Sequence, residues 1–327
     1  MSGLRRIAVL LAVLLSLTAA PAFAQPASKG LQLVDYTDEF ARVWEATASL
    51  PDAERTARFK SEFAKILPGF YDHRRMRGAT EEKYDAHLLK GLKAYPEQRQ
   101  GITRVAREFA ASMAPSQASF ERAFGPMTGY PPVLLVNSLG EFDGGTRTLE
   151  GKGYLMFGAD MIDKLYKTTP IQPFFHHELF HLYHSRSFDE CEAVWCGLWS
   201  EGLAVYVAAQ LNPGADDASL LLTFPVSLRE AVEKDRRGAV CSIATKLDST
   251  ANEDLAAMFQ GRPNPDGAFP PRYAYYVGYL VAQDVGRTRT LKQLASLTLN
   301  QARPLIEASL AQMASCPTGK ASGGERG

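Results

Sequence analysis

The sequence predicts a mainly α-helical α+β fold with one small β-sheet, and three observations predict it. From Leu31 to about Phe124 apolar residues recur at helical spacing between proline breaks. Near residue 131 the period changes, and two short apolar runs, 132–136 and 153–158, read as buried strands. Beyond them helical spacing resumes. With 327 residues and 46% apolar content, the chain is long enough to bury a substantial core.

The first 24 residues carry Arg5 and Arg6, an apolar run from Ile7 to Leu17, and Ala22-Phe23-Ala24, the layout of a cleavable secretory signal. The expected mature protein starts after Ala24, is periplasmic or secreted, and has no stable membrane anchor, because no later run approaches bilayer length. Cleavage removes two of 36 basic and none of 36 acidic side chains, so 34 against 36 leaves a formal charge of −2. Near-neutrality argues against a nucleic-acid partner.

Residues 25–130 form the helical N-terminal region, with helices expected at 35–49, 52–66, 81–93 and 97–113, separated by Pro51, Pro68-Gly69, Pro96 and Pro115. His73 and His87 sit among charged residues and read as a solvated face. The region serves as scaffold and as one wall of a cleft. The two strands follow, joined by the glycine-rich segment 138–152.

Residues 177–181 spell His-Glu-Leu-Phe-His, and Pro173 to Arg186 reads as one helix. On it His177 and His181 project about 40° apart, so both imidazoles can hold one metal ion while Glu178 faces its water. That is a metalloprotease signature. His176 points away and reads as supporting; His184 lies about 10 Å of helix rise from His177, too far to share the ion. With nineteen residues between His181 and Glu201, the stretch Trp199-Ser200-Glu201-Gly202 opens an apolar run to Leu211 that stops at Asn212-Pro213-Gly214. This reads as a second helix folded back on the first, with Glu201 as third ligand; Glu190 and Glu192 are the alternatives, without the Trp-x-Glu-Gly context.

In these motifs the chain resembles the gluzincin-type zinc metallopeptidases of the aminopeptidase-like clan, in an exported branch of zinc-dependent proteases. The resemblance spans roughly residues 130–285. It implies a zincin-like catalytic region over 131–316, with an antiparallel pair of ligand helices, one Zn2+ per chain on His177, His181 and Glu201, and Glu178 as general base. It implies hydrolysis of a peptide or protein substrate whose backbone adds to an exposed strand edge, for which 153–158 is the candidate. Tyr275 and Gly278 match the family's Y-x-x-G, whose tyrosine steadies the transition state; Tyr276 and Tyr279 are the competing phenols. Where aminopeptidases of the group carry G-x-M-E-N, this chain has Gly153-Tyr154-Leu155-Met156-Phe157, so an anchor for a free amine would have to be another acid, such as Glu141 or Asp160. The competing reading is a non-enzymatic exported protein that keeps the fold and binds peptide or metal.

Downstream helices are expected near 226–237, 248–259, 272–286 and 304–315, with the loop 261–267 a candidate lining of the cleft. Cys191, Cys196, Cys241 and Cys316 allow three pairings in an oxidising compartment. Cys191 with Cys196 and Cys241 with Cys316 is preferred, since it closes the interhelical loop and ties down the last helix. The small, polar tail from Pro317 reads as disordered.

Overall fold

The computed structural model describes residues 30–316 apart from 77, 168, 189–190 and 261–266. The signal segment, the C-terminal tail, Glu190 and all but the last residue of the 261–267 loop therefore lie outside the described residues. Among those described, helices dominate and one four-stranded mixed sheet is present. No helix among them is long and apolar enough to cross a membrane.

The N-terminal block is built from aromatic side chains. Strand β1 (Leu33–Asp35) leads into α1 (Thr37–Thr47), and α2 (Asp52–Ala64) packs against it. Phe40, fully buried, meets Phe59, Phe63, Tyr71 and Tyr95 at ring separations of 5.1, 6.4, 5.9 and 4.8 Å. Edge-to-face pairs of this kind contribute about 1 kcal/mol each beyond their area burial.

Two helices expected at 81–93 and 97–113 are one. Helix α3 (Glu81–Phe124) runs 44 residues straight through Pro96 and Pro115. The Leu92 carbonyl, which Pro96 cannot bond, accepts instead from the Trp44 indole Nε1 at 2.7 Å. One buried stripe of Leu88, Leu92, Tyr95, Ile102, Phe109 and Phe120 continues across the breaks, and that burial outweighs the local penalty.

The sheet adds two strands the period missed. Its order is β1, β2 (Val133–Val136), β4 (Lys152–Gly158), β3 (Gly144–Leu149). β1, β2 and β4 run parallel, and β3 pairs antiparallel with β4, Gly144 opposite Phe157. Residues 153–158 are thus interior, and the edge beside them is β3, hidden in the glycine-rich segment. The reason is compositional: Gly-Gly-Thr-Arg-Thr lacks the apolar run that marks a strand, whereas β4 is covered on both sides and must be apolar.

Helix α4 (Ala159–Tyr166) follows, then α5 (Ile171–His184) and α6 (Val194–Leu211). Phe157 of β4 sits between Phe109 of α3 and Phe175 of α5, at 4.7 and 5.8 Å, which fixes α5 on the sheet. The remaining helices are α7 (Leu228–Lys234), α8 (Arg236–Ala244), α9 (Asn252–Phe259), α10 (Tyr273–Val285), α11 (Leu291–Ala295) and α12 (Leu299–Met313). One expected helix is split at Asp235, whose non-helical backbone and side chain cap Gly238 N to begin α8. α12 starts ahead of Pro304, on a capping box made by Thr298 and Gln301.

The preferred disulfide pairing is present. Cys191–Cys196 spans the loop between α5 and α6, and Cys241–Cys316 ties the end of α12 to α8 across 75 residues. A closed loop of that length restricts the unfolded chain by about 4 kcal/mol in the chain-entropy treatment. Both bonds point to an oxidising compartment.

Candidate metal centre

Helices α5 and α6 lie antiparallel. His176, early in α5, meets Asn212 at the end of α6, while Phe188, just past α5, meets Trp195 near the start of α6. This pairing sets Glu201 opposite the two histidines. His177 Nε2 lies 3.1 Å from His181 Nε2, and Glu201 Oε2 lies 3.3 Å from each. A tetrahedral ion bonded at about 2.0–2.1 Å needs donors about 3.3–3.4 Å apart, so the three atoms fit one ion. Two imidazoles and a carboxylate leave a further position free, and this trio is the one group of metal-binding side chains found among the described residues.

The electrostatics fit a cation. Burial lowers His177. Burial also opposes charge on His181 and on Glu201, but their mutual attraction prevails, raising His181 to about 9 and holding Glu201 well below the usual carboxylate range. The Glu201 carboxylate thus holds a positive charge at the centre of the trio, carried by the His181 proton where no metal ion takes its place. Glu192 is exposed in the interhelical loop and takes no part.

Glu178 lies beside the trio without joining it. Burial pushes its carboxyl up to about 7. Its side chain runs under the start of β3, where a Cβ on Gly144 would sit 2.6 Å from Phe174 and 3.1 Å from Glu178 Cγ. Gly145, at φ 132°, occupies backbone space that side-chain-bearing residues rarely enter. The glycines that hid this strand therefore let the edge approach the carboxylate.

Helix α10 brings the phenol. A Cβ on Gly202 would fall 2.1 Å from the Gly278 carbonyl carbon, and one on Gly278 would fall 2.3 Å from Leu198 O. The glycine after Glu201 and the glycine three after Tyr275 are thus one backbone contact, and it sets Tyr275 beside the metal trio. The Tyr275 ring stacks on His177 at 6.2 Å and 13°, and its hydroxyl interacts with the Glu201 carboxylate. Burial, first, and that carboxylate raise its pKa well above 10.0. Tyr276 instead donates to Glu233 at 2.7 Å and accepts from Arg229, and Tyr279 packs on Tyr206. Only Tyr275 of the three lines the cleft.

The other histidines are structural. His176 Nε2 donates to Ser116 O at 3.0 Å and its Nδ1 accepts from Asn212 at 2.8 Å, joining α3, α5 and α6. His184 is sandwiched between Phe180 and Phe188, and burial pushes it down to about 3. His73 and His87 lie far along the scaffold, beside Asp72 and Glu141. The two acids considered as amine anchors are engaged elsewhere: Glu141 pairs with Arg75, and Asp160 accepts from Ser138 N and Gly140 N, both at 2.6 Å. Neither lines the cleft.

The trio lies where two lobes meet. One, a cavity of about 450 Å³, is lined by Glu178, His177, Tyr275, Gly144, Gly145, Phe224 and Arg272; the other, of about 380 Å³, by Ser185, Phe188 and the Cys191–Cys196 bridge. Thr146, His181 and Glu201 border both. Sequence reasoning missed Arg272. It precedes α10 at φ 69°, a left-handed conformation that costs a residue with Cβ about 1–2 kcal/mol. Its guanidinium lies 4.4 Å from the centre of the Tyr275 ring. The signal available was its place three residues before the Y-x-x-G tyrosine. No protein-family model matches this chain, and no curated protein and no solved structure matches it either.

Proposed function

We propose that this protein is a metal-dependent peptide hydrolase of zincin type, using zinc held by His177, His181 and Glu201. The observation that carries the reading is the donor triangle of 3.1, 3.3 and 3.3 Å with an unliganded carboxyl, Glu178, beside it under an exposed strand edge. Two imidazoles, one carboxylate and an open position form the donor set of catalytic zinc sites. When bound, zinc would polarise the scissile carbonyl and acidify water.

The chain's own groups supply the rest. Substrate backbone pairs with β3, where Gly144, Gly145 and Thr146 offer main-chain partners that demand no particular side chain. Hydrolysis bonds the water oxygen to the carbonyl carbon and breaks the C–N bond. Glu178 accepts the water proton and delivers it to the departing amine, and a carboxyl near neutrality suits both transfers. Tyr275 donates to the carbonyl oxygen as negative charge develops there.

The test is metal analysis followed by digestion of an unbiased peptide library. Purified mature protein should hold zinc at about one per chain. Glu201→Ala should lose it on dialysis, and chelation should stop cleavage that added zinc restores. Full zinc in the Glu201→Ala variant would remove Glu201 from the ligand set. Zinc without cleavage of any peptide would favour the binding-protein reading.

A further inference from the structure

The two lobes beside the metal trio are chemically unequal. Glu178 lines the larger lobe and not the smaller. The group that protonates the departing amine must face it, so the start of the amine-bearing fragment lies in the larger lobe, which Tyr275 and the β3 edge also line. That fragment always carries the substrate's C-terminus. Arg272 lies in this same lobe, and among the described residues no carboxylate comes within ion-pair distance of its guanidinium. Neither Arg147, which donates to Gly144 O and packs on Phe142, nor Arg229, bidentate with Asp217, lines this lobe. Arg272 packs on the faces of Tyr275 and Phe224, hydrogen-bonds the Tyr275 side chain and is attracted by the Glu201 carboxylate beyond it.

We propose that Arg272 receives the substrate's terminal α-carboxylate, making the protein a C-terminal exopeptidase that releases short fragments ending in an apolar residue. This rests on the hydrolase reading and deepens it. A planar guanidinium has five N–H donors, and with one turned to Tyr275 it still matches a carboxylate in two parallel hydrogen bonds. The Tyr275 ring, 4.4 Å from the guanidinium, holds it against the wall of the lobe that Arg272 lines. Leu165, Phe174, Leu221, Phe224 and Phe259 give the lobe apolar walls for the side chain next to that carboxylate. Phe224 is among the few large apolar side chains exposed to solvent, at 48%, and a bound terminal residue would cover it.

The experiment compares one N-acetylated peptide ending in Phe as free acid and as C-terminal amide. The zinc-loaded protein should cleave the acid with kcat/KM about tenfold or more above the amide, the worth of a hydrogen-bonded charge. Arg272→Gln should erase the preference and Arg272→Lys should restore part of it. Equal cleavage of acid and amide overturns the proposal while leaving the hydrolase reading intact. Calorimetry on zinc-free Glu178→Gln protein, with the dipeptide Leu-Phe and its amide as probes, reads the carboxylate site without turnover. The acid should bind more tightly, and Arg272→Gln should abolish the difference. No difference between acid and amide there overturns the proposal even if turnover fails for other reasons. A binding difference without any cleavage would retain the carboxylate site and reject the hydrolase.

Discussion

The aromatic block of α1–α3 and the trio α5, α6 and α10 are both buried, yet they are held together by different means. In the first, Phe40, Phe59, Phe63, Tyr71 and Tyr95 fill space, and their packing tolerates two prolines in α3. In the second, the backbones of α6 and α10 touch at Gly202 and Gly278, and the volume saved goes to two imidazoles, two carboxyls, a phenol and a guanidinium. Large side chains make a scaffold stable by burying area. Small ones at a helix crossing make room for groups whose charge must be set by their neighbours. The difference separates what supports the candidate site from the ionisable groups gathered in it.

Four substitutions would break or sharpen this contrast. The largest effect is expected from Glu178→Gln, which keeps the shape of the site but cannot carry a proton. kcat should fall by about 10²–10⁴ with thermal stability and metal content unchanged. Undiminished turnover would remove Glu178 from the mechanism. Next is Gly202→Ala, a single methyl placed 2.1 Å from the Gly278 backbone. Denaturant melts should show a loss of about 3 kcal/mol, with weakened metal retention, because neither backbone can yield alone. A neutral result would mean that the crossing is slack and does not position Tyr275.

Tyr275→Phe comes third. It removes one hydroxyl and little packing, so zinc and stability should persist while kcat drops roughly a hundredfold. Tyr276→Phe and Tyr279→Phe are the controls, and loss of turnover in either with Tyr275→Phe active would reassign the donor. The smallest effect concerns His184, which is buried but inert between two phenylalanines. Its folded pKa of about 3 lies below the ordinary 6.5, so it favours the fold above 6.5, and that contribution is lost as pH falls toward 3. Replacing it with Leu should spare the protein about 2 kcal/mol of acid destabilisation between pH 6.5 and about 4.5, read from unfolding midpoints. An unchanged acid limb would show that His184 is not the group that titrates there.

The sequence by itself determined the mainly helical α+β class, the antiparallel ligand helices' residues and the spacing of His177, Glu178, His181 and Glu201. These follow from local periodicity, and a helix places residues four apart on one face whatever surrounds it. It also carried the two disulfide partners as one of three pairings. Tertiary structure decided the rest. α3 passes Pro96 because Trp44, from another helix, satisfies the stranded carbonyl. The sheet edge is β3 rather than 153–158, because pairing with β4 supplies the stability that its Gly-Gly-Thr sequence lacks. Arg272 lines the cleft from a residue at φ 69°, and nothing in its neighbours along the chain announces a positive φ. Each of these depends on contacts between residues far apart in sequence, whose energies no local window contains.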